Sequence, residues 1–310
     1  MDGGQSSTTA LIADGDGNVL GMGRGGPCNH VGSAEARDRF FRAIGGSIEQ
    51  ASNAAGLDYS TVVFESACLG FSGGPKDKDQ YSRELIRSRR FKITHGAEIA
   101  LSGATAGEPG IIIIAGTGSM AFGRNAAGKT ARAGGWGYIF GDEGGGFDLT
   151  RRALRAALKQ EEGWGPPTSL HRSLLEATGA PDVNDLMHQF YSPKFTRPEI
   201  AAMSEMVSRA AANGDAVAGQ ILQSAARDLC VYVEGVHGNL FPAGQKTVIA
   251  YIGGVFKSRP LLTEFRNLVL DGLGCVVEAP RLSPAAGALL EALRADGNAS
   301  TLGNVPESEK

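Results

Sequence analysis

The first residues of the chain, Asp2-Gly3-Gly4-Gln5-Ser6-Ser7-Thr8, put a carboxylate, two glycines and three hydroxyls side by side. Glycines let main-chain N–H groups converge on a phosphate, and the hydroxyls add donors. Asp2 beside them can hold Mg2+ through water, because magnesium prefers oxygen ligands and keeps much of its hydration. Taken alone, the stretch reads equally well as a polar terminus before a strand. Gly116-Thr117-Gly118-Ser119, directly after the apolar run Ile111–Ala115, repeats the same chemistry. Two such loops are what a nucleoside triphosphate needs if it is clasped between domains. Neither loop carries Gly-Lys-Ser/Thr, so neither is a Walker A loop.

Three further stretches can carry chemistry. Gly253-Gly254-Val255-Phe256 follows an apolar run and would let a flat ring lie against backbone, although in isolation it is a plain tight turn. Gly134-Gly135-Trp136-Gly137 with Gly141-Asp142-Glu143-Gly144 is the most specific: Trp136 can offer a flat apolar face and Asp142 can accept hydrogen bonds from hydroxyls, which is how proteins commonly hold sugars. The alternative is that Trp136 belongs to the core. Gly21-Met22-Gly23-Arg24-Gly25-Gly26 formally matches G-x-G-x-x-G, but Pro27 stands where a helix should begin and no βαβ unit surrounds it, so a dinucleotide site is rejected.

The elements that position these residues can be read from pattern. Thr8–Ala13 and Val19–Met22 form a hairpin around the turn Asp14–Asn18, and Ser119–Gly123 with Lys129–Ala133 form a second around Asn125–Gly128. A helix is predicted over 33–55, with Ser33 as N-cap and Phe40, Phe41, Ile44 and Ile48 as its apolar face. Strands are predicted at 61–71, 91–94, 111–115, 247–252 and 274–278. Helices are predicted at 97–103, 147–161, across 200–240, and at 284–295, with a frayed polar tail from Asp296. Each glycine/hydroxyl loop lies beside a hairpin, which suggests two related halves; chance recurrence accounts for the echo equally well.

Composition excludes several classes. The 310 residues leave room for two domains. Lys+Arg is 30 against Asp+Glu 33, so the overall charge of -3 gives no basic field for nucleic acid or anionic lipid. Apolar runs are too short for a membrane span. Met1–Gly4 shows no signal segment, so a cytoplasmic location is expected. Cys28, Cys68, Cys230 and Cys275 lie far apart, against a zinc site, an iron–sulfur cluster or a disulfide framework. Gly 45 is about twice the average share, and the glycines cluster in short loops.

In their order, Asp2-Gly3-Gly4, Asn29-His30, Ser72-Gly73-Gly74, Gly116–Ser119, Gly134–Gly137, Gly141–Gly144 and Gly253–Phe256 resemble the BadF/BadG/BcrA/BcrD-type ATPase family. They look most like its N-acetylglucosamine kinase branch, from Met1 to about Ala295. The resemblance implies an α/β fold of two ribonuclease-H-like (actin-like ATPase) domains around a central cleft: 1–108 with 284–310, and 109–283. It implies ATP-dependent phosphorylation of an amino sugar, N-acetylglucosamine at the 6-hydroxyl, with ATP and Mg2+ as cofactors. By the same resemblance Asp2 would hold the magnesium, and Gly3, Gly4, Ser6, Ser7, Thr8 and Gly116, Thr117, Gly118, Ser119 would face phosphates. Gly253 and Gly254 would sit against the adenosine. Asn29, Ser72, Thr117, Gly118, Gly135, Trp136, Asp142 and Gly146 would line the sugar pocket. The expected partner is a small-molecule amino sugar, and a homodimer is the commonest assembly.

Two departures from the family pattern stand out. Gly96, in Thr94-His95-Gly96-Ala97, occupies the position of the aspartate that takes the proton from the attacking hydroxyl. Glu98 is the obvious substitute base, but two residues along a helix is a rotation of about 200°, so it should face elsewhere; His95 is expected to be satisfied by local hydrogen bonds. The family also has an apolar strand before Asp-Gly-Gly. Its absence from Met1 onward leads us to expect an upstream translation start, a missing central strand and poor folding of the chain as given. A sugar or nucleotide sensor without useful catalysis, or an ATPase that activates a partner enzyme, are the competing readings.

Overall fold

Glycines at alternate positions of one strand set how the first layer packs. In the computed structural model, which describes every residue except 5–6, 29–33, 74–77 and 299–300, a Cβ on Gly21 would lie 2.1 Å from the Ala51 carbonyl oxygen, on Gly23 2.0 Å from that of Ser47, and on Gly25 2.3 Å from that of Ala43. Residues two apart share a strand face, so β3 (Val19–Gly25) presents a bare stripe on which helix α1 (Ala34–Ala54) lies flat. The G-x-G pattern is thus a helix-packing device. The N-cap assigned to Ser33 falls outside the described residues.

The contacts divide the chain into two units, Met1–Gly110 with Ala279–Lys310, and Ile111–Glu278. The first holds β1 (Asp2–Gly3), β2 (Thr8–Ala13), β3, α1, β4 (Phe64–Phe71), α2 (Asp79–Leu85), β5 (Ser88–His95) and α3 (Gly96–Ala104), in the sheet order β3-β2-β1-β4-β5. β2 and β3 are antiparallel, whereas β1, β4 and β5 run parallel. The last helix, Pro284–Ala295, crosses α3 so closely that a Cβ on Gly287 would lie 1.9 Å from the Ile99 carbonyl oxygen.

The second unit holds β6 (Gly110–Ala115), β7 (Ser119–Arg124), β8 (Thr130–Gly134), α4 (Gly146–Glu161), α5 (Ser169–Thr178), α6 (Val183–Tyr191), α7 (Arg197–Ala202), α8 (Glu205–Ala212), α9 (Ala216–Leu240), β9 (Val248–Ile252), α10 (Arg259–Leu273) and β10 (Val277–Glu278). Its sheet order, β8-β7-β6-β9-β10, repeats that of the first: third, second, first, fourth, fifth. In both, the glycine/hydroxyl loop follows the sheet's first strand. Gly128-Lys129-Thr130, a Gly-Lys-Thr triplet, turns the β7–β8 hairpin and opens a strand, unlike a phosphate loop feeding a helix.

The central strand β1 has two residues, between neighbours of six and eight. Upstream of Asp2, Leu11–Ala13 and Phe64–Cys68 face a cavity of about 350 Å3, closed on one side by Ile48 and Ile86 and on the other by Ala288, Leu289, Ala292 and Leu293. The Met1 ammonium sits at its end and donates to the Cys68 carbonyl oxygen at 2.8 Å, while the Met1 carbonyl accepts from Gly70 at 3.0 Å. Burial pulls its pKa below the usual amine value.

Several local expectations are corrected. The 200–240 stretch is three helices, broken at Met203-Ser204 and again at Asn213-Gly214-Asp215, where Gly214 has φ +87 and Asp215 caps α9. The predicted strand 61–71 starts only at Phe64, because Asp58 draws Thr61 and Val62 into a turn. Residues 301–310 of the tail do not fray. Asn18 bridges to Gly303, and Glu309 accepts from Ser283 at 2.6 Å and pairs with Arg24 at 3.3 Å. No helix among the described residues is long and apolar enough to cross a membrane.

Candidate functional site

In the first unit, Gly3 is required by close packing: a Cβ there would lie 2.4 Å from the Phe71 ring and 2.7 Å from the Cys28 sulfur. The turn beyond it closes through Gly4 N–H donating to the Ser7 carbonyl at 2.9 Å. Ser7 is exposed, whereas Thr8 is fully buried and its hydroxyl donates to the Gly26 carbonyl at 2.8 Å, so its proton is committed within the fold. Ser6 and Asn29 lie outside the described residues. The Asp2 carboxylate makes no hydrogen bond to a described residue, and burial pushes its pKa up to about 6, with the Met1 ammonium opposing and Glu309 adding to the rise.

A half-buried carboxylate with no donor among the described residues fits a bound cation. No cluster of three or more His, Cys, Asp or Glu able to ligate a metal occurs among the described residues, so a metal here would be held by one carboxylate and water, as magnesium tolerates.

Gly96 is the first residue of α3, with a Cβ position 3.6 Å from the Phe71 carbonyl and the Ser72 nitrogen, ordinary contact with room for a side chain. Glu98 is turned away and committed: it bonds Lys92 at 2.7 Å and accepts from the Thr94 hydroxyl, while Lys92 also bonds Glu291 at 2.7 Å. His95 is exposed and caps nothing with its side chain, contrary to the expectation of a satisfied ring. The first turn of α3 therefore offers no free carboxylate.

In the second unit, three glycine loops are pressed together. Gly146 and Phe147 donate to the carbonyls of Gly116 (2.8 Å) and Thr117 (3.1 Å), Ser119 Oγ donates to the Glu143 carbonyl (2.6 Å), and Gly135 N–H to the Ser119 carbonyl (3.0 Å). A Cβ on Gly118 would lie 2.4 Å from the Asp142 carboxylate, and one on Gly253 2.2 Å from the Ala115 carbonyl oxygen. The N–H groups of Thr117 and Gly118 donate to no protein acceptor among the described residues, which leaves two adjacent donors for an anion.

Asp142 is 4% exposed and adopts a left-handed backbone, φ +64. Its carboxylate accepts from Ser119 N–H at 3.3 Å and faces Arg197 Nη2 at 3.3 Å. Both contacts are long for charge-assisted bonds, which run about 2.7–2.9 Å. A carboxylate has about four acceptor positions, so this one is under-bonded. Trp136 is 66% exposed, which excludes the core reading, and carries Arg132 at 4.7 Å from its ring centroid. Tyr138, Ile139 and Phe140 are exposed beside it. Tyr232 from α9 donates to Glu143. Sequence reasoning missed Arg197 and Tyr232, which lie outside every motif; an isolated Arg after Thr196 carries no signal of its own.

A doubled five-stranded sheet with a glycine/hydroxyl turn behind each first strand is the architecture of the actin-like ATPases and their sugar kinases. The solved structure of a candidate N-acetylglucosamine kinase from Chromobacterium violaceum is similar at 27% identity and TM-score 0.73, over 93% of this chain and 96% of that one. A glucokinase of the ROK family from Streptomyces griseus shares the fold at 18% identity and TM-score 0.52, over 96% and 97%. The chain belongs to the BadF/BadG/BcrA/BcrD ATPase family, whose model matches residues 1–292. Among relatives, it is 34% identical to the N-acetylmuramic acid/N-acetylglucosamine kinase of Clostridium acetobutylicum, over 87% of this chain and 89% of that protein. It is 30% identical to the N-acetyl-D-glucosamine kinase of Dictyostelium discoideum, over 94% and 96%.

Proposed function

We infer that this chain is an ATP-dependent amino-sugar kinase that transfers the γ-phosphoryl group to N-acetylglucosamine, at its 6-hydroxyl. Within the structure, the observation that carries the reading is the under-bonded, buried Asp142 carboxylate locked against a loop whose Thr117 and Gly118 N–H groups donate to no acceptor among the described residues. One motif pair thereby offers an acceptor for sugar hydroxyls and donors for an anion. Magnesium, when bound, supplies charge neutralisation at the phosphates, the dominant requirement of phosphoryl transfer. Asp2 is the residue suited to hold it, and the exposed Trp136 face is suited to a sugar ring. Gly253 and Gly254, bare of side chains, suit the adenosine. Gly96 supplies no base, so turnover is slow.

A coupled assay over N-acetylglucosamine, glucosamine and N-acetylmuramic acid tests the reading, and a phosphorylated sugar from N-acetylglucosamine is the expected product. ATP and sugar binding with no product from any of the three would instead favour a sensor, the alternative that Gly96 supports.

Asp2→Ala is expected to abolish the magnesium dependence of nucleotide affinity in calorimetry; unchanged Mg-ATP affinity would remove its assigned role. Because the raised pKa of about 6 keeps Asp2 protonated in acid, Mg-ATP affinity of the parent should fall as pH drops through about 6. The linkage to stability has the opposite sense. A carboxyl whose folded pKa is raised lowers stability as pH climbs from about 4 to 6, and Asp2→Asn should flatten that stretch of the stability profile.

Asp142→Ala should weaken N-acetylglucosamine binding by about 1–3 kcal/mol, the cost of leaving sugar hydroxyls unpaired. Equal affinity in the variant and the parent would mean that the sugar binds elsewhere.

A further inference from the structure

Arg197 is the first residue of α7, a short helix whose start is fixed by a capping box: Thr196 N–H donates to Glu199 Oε2 at 2.7 Å. That helix is tied to α4 by the Thr150 hydroxyl, which donates to the Ile200 carbonyl at 2.8 Å, and by Gly146, where a Cβ would meet the Ala201 carbonyl oxygen at 2.9 Å. Gly146 itself donates to Gly116. The guanidinium is therefore carried on the same frame as the Gly116–Ser119 loop. From that frame it reaches two members of the aromatic/acid motif: its Nη2 lies 3.3 Å from Asp142 Oδ2, and its Cζ lies 5.0 Å from the Tyr138 ring centroid. Its Nε is buried and without a hydrogen-bond partner, so among the described residues Asp142 and Tyr138 hold the planar group, which keeps unused donor capacity.

Asp142 needs such a neighbour. A left-handed backbone is unfavourable for any residue with a side chain, and burying a carboxylate is costly without a cation or donors beside it. Ser119 N–H supplies one long bond, and Arg197 supplies the charge.

We propose that Arg197 is a positioning residue of the sugar site, holding the Asp142 carboxylate aimed and pinning the Tyr138 loop beside it. The proposal rests on the reading of Asp142 as the acceptor of sugar hydroxyls. The guanidinium acts through Asp142, and its removal leaves the acid free to turn within a turn it does not favour.

The test is calorimetric titration of the full chain with N-acetylglucosamine, which needs no turnover, for the parent, Arg197→Met, Arg197→Lys, Asp142→Asn and the Arg197→Met/Asp142→Asn pair. Arg197→Met should raise Kd about tenfold or more, with Mg-ATP affinity unchanged and any fall in Tm relieved in the pair, where no unpaired carboxylate remains. Arg197→Lys should recover part of the loss, since it restores charge without the planar fork. In the pair, Arg197→Met should add little to Asp142→Asn, because the two act through one carboxylate. If Asp142→Asn weakens binding and Arg197→Met does not, the proposal is overturned while the reading of Asp142 stands. If the two losses multiply and the fall in Tm persists in the pair, the arginine is a structural residue and the proposal fails. If Asp142→Asn binds the sugar as the parent does, the Asp142 reading fails and takes the proposal with it.

Discussion

Gly96→Asp is expected to raise kcat for amino-sugar phosphorylation by about 10²–10⁴-fold, the usual contribution of a positioned base. KM should change little, since the added group is used in the transition state. The structure leaves room for the change. The Cβ position at residue 96 has its nearest neighbours 3.6 Å away, and its backbone is not in the left-handed region that only glycine adopts freely. The new side chain would start beside the Phe71 carbonyl and the Ser72 nitrogen, at the carboxyl end of β4. An acid in the first turn of α3 also complements the helix dipole, by about 0.3–1 kcal/mol, so Tm should hold or rise slightly. The decisive comparison runs the parent, Gly96→Asp and Glu98→Gln in one kinase assay. Glu98 is already bonded by Lys92 and Thr94, so Glu98→Gln should leave the chemistry where it was apart from any loss of stability. Brisk parental activity, abolished by Glu98→Gln and indifferent to Gly96→Asp, would put the base at Glu98 and end this account.

The second large effect concerns stability. Joining an extended apolar segment of about five residues to the amine of Met1 should raise Tm by up to roughly 5 °C, from a net gain of at most about 3 kcal/mol. The register is already set: Met1 donates to Cys68 and accepts from Gly70 as a strand parallel to β4 would. Continued upstream, such a strand runs between Leu11–Ala13 and Phe64–Cys68 and fills the cavity of about 350 Å3. Cavity filling at about 24 cal/mol per Å3 is offset by ordering each added residue at about 1–2 kcal/mol, which leaves the smaller net figure. A peptide N–H in place of the buried ammonium keeps the Cys68 bond and sheds the charge. An equally long Gly/Ser extension is the control. If both extensions shift Tm alike, or neither does, the slot does not accept a strand.

The sequence by itself carried the local grammar. The two hairpins, the α1 stripe of Phe40, Ile44 and Ile48, and the β-branched run of β6 were legible because period and turn chemistry are properties of neighbouring residues. The glycine/hydroxyl loops and the motif order were legible for the same reason, and with them the family. Glu98 facing away from Gly96 followed from helix geometry alone.

Tertiary structure decided what depends on residues far apart in the chain. The Gly21, Gly23 and Gly25 stripe gains its meaning from α1, which alone shows that the missing side chains make room for helix backbone. The polar tail packs because Asn18, Ser283 and Arg24 offer it partners that no local pattern announces. Thr8, one of the hydroxyls in the first loop, is withdrawn from that chemistry by the Gly26 carbonyl across the hairpin. Arg197 stands 55 residues from Asp142 in the chain and 3.3 Å from it in the fold. Hydrophobic period and turn preference act over a few residues, so sequence conveys them directly; the pairing of a buried charge is settled only when packing brings its partner within reach.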